Sequence, residues 1–296
     1  MSEVAWQPRV TVIVPAYNEA ARIAASVAAL RAQNYPPEKV QILVVDNGST
    51  DRTFEILAGT PGIVALRESK PGSYAARNLA LTHADGEVVC FTDADCSADA
   101  DWVRNAVAAL ADPRVGVVAG HVELDFGPRL RLSASELFEK CFSFKQAENA
   151  RNRVCVTANW TSRLALIRSF DGFDATLKSG GDHRLAAQIA AVGHRIVYAH
   201  DAIVRHPARA DFRELTRKRR RVIGGVFGSQ YRAGRKSFLR FVGSLFKETL
   251  VRLHSVFTGG ALPRTDRMRV GGLLVVLCGV SVAEAFRLRL GGEPQR

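Results

Sequence analysis

Short apolar runs alternate with amphipathic stretches along the first hundred residues. The runs cover residues 9–15, 40–45, 63–66 and 88–91, and their many β-branched side chains are typical of buried strands. Between the runs, apolar residues recur at helical spacing, as Ile23, Val27 and Leu30 do. This alternation of strands and helices predicts an α/β domain with a mostly parallel sheet flanked by helices.

Polar segments follow each of the four predicted strands. They comprise residues 15–19, 46–51, 68–72 and 93–95. Ligands of parallel α/β sheets bind at the carboxyl ends of the strands. We therefore expect these four segments to converge on one crevice.

The last of these segments carries Asp93 and Asp95, two carboxylates separated by a single residue. Their charge at the end of a buried strand needs compensation. Hard oxygen ligands suit Mg²⁺ or Mn²⁺, which commonly share their coordination with substrate phosphates. The neighbouring Cys96 is compatible with this site, because a thiol competes poorly for hard ions. Taken alone, the pair also fits a solvated, aspartate-rich turn.

Several motifs in a fixed order give the chain a family resemblance. VTVIVPAYNEA, ILVVDNGSTDRT, KPGSYAARNLAL and VVCFTDADCS are followed by a matching segment at residues 157–206. Together they resemble glycosyltransferase family 2 over residues 9–206. The resemblance implies a GT-A fold for a catalytic domain at 1–206, with a nucleotide-sugar half at 9–110 and an acceptor half at 111–206. The implied donor is a UDP- or GDP-linked sugar.

The resemblance also implies roles for the matched residues on the nucleoside side. Asp46 would accept N–H groups of the base, although a helix-capping role is open to it and fits Asp51 better. Pro15, Tyr17 and Glu19 would line the nucleoside pocket, with Glu19 on a ribose hydroxyl. Tyr17 could equally be an ordinary loop aromatic.

On the phosphate side, the implied donor-binding residues are Lys70, Gly72, Arg77, Asp93 and Ala94. The metal ligands would be Asp95 and His206, with His200 as the nearby alternative to His206. A metal ion there would neutralise the charge that develops on the leaving diphosphate.

Asp182 is the implied catalytic base, which would take the proton of the acceptor hydroxyl in an inverting transfer. The family usually has an acidic pair here, whereas this chain has Gly181 before Asp182. Asp182 could also cap the helix that follows. Asn159 and Trp160 lie on the expected acceptor side, and Trp160 would stack on a sugar or a lipid headgroup unless it belongs to the core.

Charge and cysteine content extend this picture beyond the catalytic domain. The 296-residue chain has a net charge of +12, and residues 206–296 alone hold 19 Lys and Arg against 6 Asp and Glu. Five scattered cysteines indicate a reducing compartment, and the N-terminus has no apolar signal core. We expect a cytoplasmic protein, peripheral on the inner face of the cell membrane.

The C-terminal region, residues 207–296, contains two apolar segments among these cations. Residues 237–257 predict a basic amphipathic helix, either interfacial or packed on the catalytic domain. Residues 270–283 are uncharged but short for a membrane span, and fit a re-entrant helix, a surface helix or a homodimer contact. An anionic membrane surface is the expected partner. Residues 217–221 read RKRRR without any accompanying nucleic-acid module, so no nucleic acid is expected.

The sequence therefore predicts an inverting, metal-dependent glycosyltransferase. It lacks the Gln-x-x-Arg-Trp motif of processive members, which favours a single transfer, to a lipid-linked or cell-envelope glycan. A polyprenyl-phosphate sugar synthase is the alternative, in which the ionised acceptor phosphate needs no base. A catalytically silent protein that binds nucleotide or membrane is another, prompted by the missing acid before Asp182.

Overall fold

The computed structural model describes residues 6–128, 130–234, 237–260 and 262–294. Its strands are β1 (Val10–Ala16), β2 (Val40–Asp46), β3 (Val64–Arg67), β4 (Val88–Thr92), β5 (Ser97–Ala98), β6 (Val115–Asp125), β7 (Asn159–Arg163) and β8 (Arg195–Pro207). Its α-helices are α1 (Ile23–Arg31), α2 (Thr53–Ala58), α3 (Ser73–His83), α4 (Trp102–Ala109), α5 (Ala134–Phe142), α6 (Gln146–Arg151), α7 (Leu164–Arg168), α8 (Gly181–Ala191), α9 (Phe212–Phe227), α10 (Phe238–Thr258) and α11 (Arg264–Arg289).

These elements form two compact units. The first comprises the chain up to Leu124 together with Phe144–Ala175 and Gly181–Pro207. The second comprises Asp125–Ser143, Thr176–Gly180 and the chain from Ala208 onward. Two segments from within the first 206 residues thus belong to the second unit.

The first unit is built on a sheet whose order, over the described residues, is β3-β2-β1-β4-β7-β6-β8-β5. Strands β3, β2, β1 and β4 pair in parallel. Strand β7 runs antiparallel to β4 and β6, and β5 runs antiparallel to β8. The predicted α/β sheet is confirmed, and its antiparallel pairings are those of β7 and β5.

The central parallel strands, β1 and β4, are buried because helices cover both faces of such sheets. All five residues of β4 are buried, as are six of the seven in β1. The register of the parallel strands brings Ala16 opposite Asp46, and Asp46 opposite Arg67. The polar segments that follow β1, β2 and β3 therefore start at the same edge of the sheet.

The second unit consists mainly of helices α5, α9, α10 and α11. Helix α11 packs against the other three, and two apolar clusters fill the space between them. Phe138, Leu215 and Leu274 belong to one cluster, and Phe227 and Phe241 belong to the other. Leu137 of α5 also belongs to the first of these clusters.

Buried ion pairs neutralise part of the basic charge in this unit. Glu139 of α5 is buried and accepts hydrogen bonds from Lys218 Nζ at 2.8 Å and Arg209 Nη1 at 3.1 Å. Arg219 pairs with Glu248 at 3.0 Å. Two of the five cations at residues 217–221 are thus engaged inside the unit.

Helix α11 differs from the segment that the sequence indicated. It has 26 residues, about 39 Å at 1.5 Å per residue, whereas the uncharged stretch has only 14. By length and composition it is the one helix among the described residues that could cross a membrane, but half of its most apolar window is buried inside the structure. Its buried residues include Glu284, which pairs with Arg287.

Candidate active site

The loops after β1 and β2 are tied to each other by hydrogen bonds. Asn18, with a positive φ of 55°, accepts a bond from the Thr50 N–H at 2.8 Å and donates its own N–H to Ser49 Oγ at 2.9 Å. The Glu19 N–H donates to Thr53 Oγ1, and the Ala20 N–H donates to Asp51 Oδ2. The two loops therefore form one structural piece at the edge of the sheet.

Asp51 has the local role that the sequence left open between two aspartates. Its Oδ1 accepts bonds from the Thr53 N–H and the Thr53 hydroxyl at the start of α2. These bonds hold the pKa of Asp51 below its ordinary value. Asp46 at the end of β2 is buried instead, and its Oδ2 accepts a long bond of 3.3 Å from the Ser49 N–H. Its Oδ1 is buried without a hydrogen-bond partner in the described part of the chain, as expected of an acceptor that awaits a ligand donor.

Asn47 fixes the loop that precedes α3. Its Nδ2 donates to the carbonyl oxygens of Glu68 and Lys70, at 3.0 and 2.8 Å, and its Oδ1 accepts the Gly72 N–H at 2.7 Å. Gly72 has a φ of +134°, which side chains other than hydrogen rarely allow. Lys70 of this loop is exposed. At the end of β1, Pro15 is half-buried and Tyr17 is exposed.

Four side chains after β4 and on β8 converge in a cluster. The ligand atoms of Asp93, Asp95, Cys96 and His206 all lie within 4.8 Å of one another. His206 is buried, its Nε2 lies 3.5 Å from Asp95 Oδ2, and the Phe144 ring packs against its imidazole with the centroids 4.5 Å apart. His200, the alternative ligand, is exposed and does not join the cluster.

The donor set of this cluster fits a hard divalent cation. His206 Nδ1 lies 2.8 Å from the Pro207 carbonyl oxygen, which can only accept, so Nδ1 is the donor of this bond and Nε2 faces Asp95. Burial and the nearby Asp93 carboxylate raise the pKa of Cys96 well above its ordinary value, so it remains a neutral thiol. Two carboxylates and one imidazole are then the competent ligands, and they suit Mn²⁺ or Mg²⁺.

Two charged neighbours surround the cluster. Arg77 of α3 is buried and donates from Nη2 to Asp93 Oδ1 at 2.6 Å. Burial, followed by repulsion from the Asp95 carboxylate, raises the pKa of Glu19 above its ordinary value. Negative charge thus accumulates at these strand ends, which favours a bound cation.

Asp182 lies in the first turn of α8 with its carboxylate oriented by several donors. Oδ1 accepts the Tyr74 hydroxyl at 3.0 Å and the His183 N–H at 2.9 Å. Oδ2 accepts the Thr157 N–H at 3.3 Å. Asp182 is the second residue of α8 and so is not its N-cap, and Oδ2 retains capacity to accept a proton.

The acceptor assignments of Asn159 and Trp160 are wrong in this structure. Both side chains are fully buried on β7. Asn159 donates to the carbonyl oxygens of His121 and Ala202 and accepts the Trp102 indole N–H, and Trp160 donates to Ser162 Oγ. These interactions are internal to the core and leave no group for an acceptor.

Ala94, another predicted donor-binding residue, packs its methyl group into the core. Only its backbone is therefore left to contact a ligand.

The sequence analysis missed two residues whose hydrogen bonds hold groups of the candidate site. Asn47 follows Asp46 directly and looked like part of a turn, and Tyr74 looked like an ordinary helix residue. Their partners lie 21 to 108 residues away, and no local pattern reveals such pairs.

Comparison with known proteins identifies the class. The fold matches a mannosyltransferase from Pyrobaculum calidifontis in complex with GDP-mannose and Mn²⁺, with a TM-score of 0.65 and 25% identity over 96% of this chain and 87% of the other. TarS of Staphylococcus aureus in complex with UDP-GlcNAc shares the fold, with a TM-score of 0.56 and 19% identity over 96% of this chain and 92% of the other. The α/β sheet with its flanking helices is that of a GT-A glycosyltransferase, and the mannosyltransferase of this fold holds Mn²⁺.

The family follows from the sequence. The glycosyl transferase family 2 model matches residues 11–169. Glycosyltransferase AglE of Haloferax volcanii is 34% identical over 73% of this chain and 72% of its own length. The pre-mycofactocin glycosyltransferase of Mycobacterium tuberculosis is 26% identical over 69% of this chain, which spans only 44% of that relative. The chain belongs to glycosyl transferase family 2.

Proposed function

We propose that this enzyme is an inverting, metal-dependent glycosyltransferase that moves one sugar from a UDP- or GDP-linked donor to a lipid-linked or cell-envelope glycan. The observation that carries the proposal is the cluster of Asp93, Asp95 and His206 at the strand ends, beside the loops that hold Asp46. The mannosyltransferase of similar fold, which holds GDP-mannose and Mn²⁺, supports this assignment of the donor site.

The donor side of the site binds and orients the nucleotide. Asp46 Oδ1 accepts N–H groups of the base, and Glu19 approaches the ribose. The loop held by Asn47 brings Lys70 and the backbone of Gly72 close to the donor, and Arg77 holds Asp93 in place. Asp95 and His206 would hold a divalent ion, which would supply charge neutralisation for the leaving diphosphate.

The acceptor side moves a proton. Asp182 Oδ2 takes the proton of the acceptor hydroxyl. The oxygen of that hydroxyl forms a bond to the anomeric carbon at the same time. The bond from that carbon to the diphosphate oxygen breaks on the opposite face, and the anomeric configuration inverts. The diphosphate leaves with the bonding electron pair.

The donor site is tested by calorimetry with UDP and GDP, each with and without Mn²⁺. We expect metal-dependent binding of one nucleotide, lost in Asp95→Ala. Asp85→Ala is the matched control, because Asp85 forms an exposed ion pair with Arg9 and should bind like the wild type. Absence of binding for both nucleotides under all conditions would contradict the proposal.

We also propose that the second unit binds an anionic membrane surface peripherally, as its basic composition suggested. The predicted apolar face of α10 is divided: Phe238, Phe241 and Leu245 are buried in the unit. Four other large apolar residues of α10 are exposed, and their spacings of seven, four and seven residues place them along one line of the helix. They are Leu239, Phe246, Leu250 and Phe257. Arg240 directly follows Leu239, and Lys247 directly follows Phe246. Both cations are exposed and lie beside the apolar line on the helix surface.

Helix α11 extends this apolar surface. Its exposed large residues include Met268, Val275 and Phe286. The exposed Phe286 contacts Phe238 of α10, with ring centroids 5.0 Å apart, so the exposed face of α11 adjoins α10. Apolar side chains flanked by cations complement an anionic bilayer, which takes up the apolar groups and attracts the charges.

Sedimentation with vesicles of phosphatidylglycerol and phosphatidylcholine tests this surface. We expect binding by the full chain that weakens at high salt and is lost in a Phe246→Glu, Leu250→Glu double variant. Val192→Glu, at an exposed apolar residue of the first unit, is the control. If the double variant still bound vesicles, or if it only converted a dimer to a monomer in sedimentation velocity, the face would not be a membrane surface.

A further inference from the structure

The hydroxyl of Tyr74 is the feature of the site that the family resemblance leaves unexplained. It donates to Asp182 Oδ1 at 3.0 Å and accepts the Asp182 N–H at 3.3 Å. Burial, and then the Asp182 carboxylate, raise the pKa of Tyr74, so it stays a neutral donor at any physiological pH. Tyr74 thus holds both the side chain and the backbone of Asp182.

A set of aromatic contacts fixes the Tyr74 ring. It stacks on Phe173 with ring centroids 5.6 Å apart, and the Phe91 and Trp160 rings contact other parts of Phe173 edge to face. The Phe173 backbone is bound to α3 through Asn78, which donates to its carbonyl at 2.7 Å and accepts its N–H at 2.9 Å. The buried Trp160 therefore acts on the site through packing.

Glycine at position 181 makes room for this arrangement. A Cβ atom on Gly181 would lie 2.8 Å from Tyr74 Cε2 and 3.0 Å from its Cζ, closer than side chains pack. The family's usual acid therefore does not fit at this position while the Tyr74 ring is in place. The tyrosine ring occupies the region that a side chain at 181 would otherwise enter, and its hydroxyl bonds Asp182.

Helix α3 carries a second contact to the site one turn further along. Arg77, three residues after Tyr74, donates to Asp93 at 2.6 Å. Residues three apart lie on the same face of a helix. Tyr74 and Arg77 therefore connect Asp182 and the metal-ligand segment to one rigid element.

We propose that Tyr74 is a positioning residue for the catalytic base: with Gly181 it replaces the missing acid, and through α3 it sets the place of Asp182 relative to Asp93. The inference rests on the proposed role of Asp182 as the base. Because Oδ1 is occupied by Tyr74 and the His183 N–H, Oδ2 is the oxygen that receives the acceptor proton.

The test is a double-mutant cycle on Tyr74→Phe and Asp182→Asn, measured as hydrolysis of GDP-mannose or UDP-GlcNAc with Mn²⁺, where water acts as the acceptor. Tyr74→Phe keeps the ring and its stacking. We expect its kcat to fall about tenfold, as for loss of a hydrogen bond to a charged group, with KM and nucleotide affinity within about twofold of the wild type. On the Asp182→Asn background, Tyr74→Phe should have no further effect.

Two controls separate positioning from a structural effect. Tyr198→Phe removes an exposed hydroxyl that contacts His121, and should leave the rate unchanged. Gly181→Ala should reduce kcat as Tyr74→Phe does, whereas Gly243→Ala, which has open space around its Cβ, should not.

The outcomes distinguish the two proposals. Full activity of Asp182→Asn would overturn the base and the role of Tyr74 with it. Loss of activity in Asp182→Asn with an unchanged Tyr74→Phe would overturn only the role of Tyr74. Equal effects of Tyr74→Phe in both backgrounds would do the same, because they would show that Tyr74 does not act through Asp182.

Discussion

Replacing Asn47 with alanine tests whether one buried amide holds the loop at residues 68–72 for the donor. The substitution removes three hydrogen bonds, of 2.7, 2.8 and 3.0 Å, between a buried side chain and the backbone of that loop. At about 1 kcal/mol each, they contribute about 3 kcal/mol against opening of the loop. If donor binding requires the closed loop, nucleotide affinity falls by up to about 100-fold, since 1.4 kcal/mol is a factor of ten.

Two measurements on Asn47→Ala check this value. Calorimetry gives the loss of nucleotide affinity, and hydrogen exchange of the Glu68 amide reports loop opening, because this amide donates to the Asp46 carbonyl and the substitution leaves that bond in place. Asn105→Ala is the control, since it removes one hydrogen bond, to the Asp201 carbonyl, in another part of the first unit. Unchanged exchange at Glu68 together with unchanged affinity would refute the reasoning.

Two further predictions concern stability. Burial raises the pKa of Glu139, but Lys218 and Arg209 outweigh it and hold the pKa at about 2, below the ordinary 4.5. Its ionised form therefore stabilises the fold above pH 4.5 by about 3 kcal/mol, and this contribution is lost as the pH falls towards 2. Denaturant unfolding of Glu139→Gln should show that deficit at pH 7 and none near pH 2, and a deficit independent of pH would contradict it. Trp160→Phe should lower the free energy of unfolding by about 1–2 kcal/mol through the lost bond to Ser162, and an unchanged unfolding free energy would contradict the core role of the indole.

The parallel half of the sheet and the convergence at its edge were predictable because they follow from local patterns. Apolar runs identify β1, β2 and β4, and the polar residues after them must lie at the carboxyl edge of a parallel sheet. That rule brings Asp46 and Asp93 towards one place without knowledge of any contact. The metal-ligand cluster required one more strand, β8, which the sequence located only through the family resemblance.

Strand β7 shows where this reasoning fails. Its residues, Asn159 to Arg163, are polar in character, and such a segment reads as a surface next to a ligand. In the structure it lies between β4 and β6, and the first four residues are buried because long-range partners satisfy their polar groups. Pairing between distant strands determines which polar residues are buried. This pairing cannot be inferred from the hydropathy of the chain.

The hydrogen bonds between the loops after β1 and β2 bear on how base preference in this fold can be re-engineered. At least six hydrogen bonds join segments 16–20 and 46–53. Five of them lie between Asn18, Glu19 or Ala20 and partners at positions 49 to 53, and the Asn47 N–H donates to the Ala16 carbonyl. Grafting either segment alone from a homologue with another nucleotide would leave those donors and acceptors mismatched. Grafting both together preserves the network, so the pair is the smallest transferable module for exchanging one base for another.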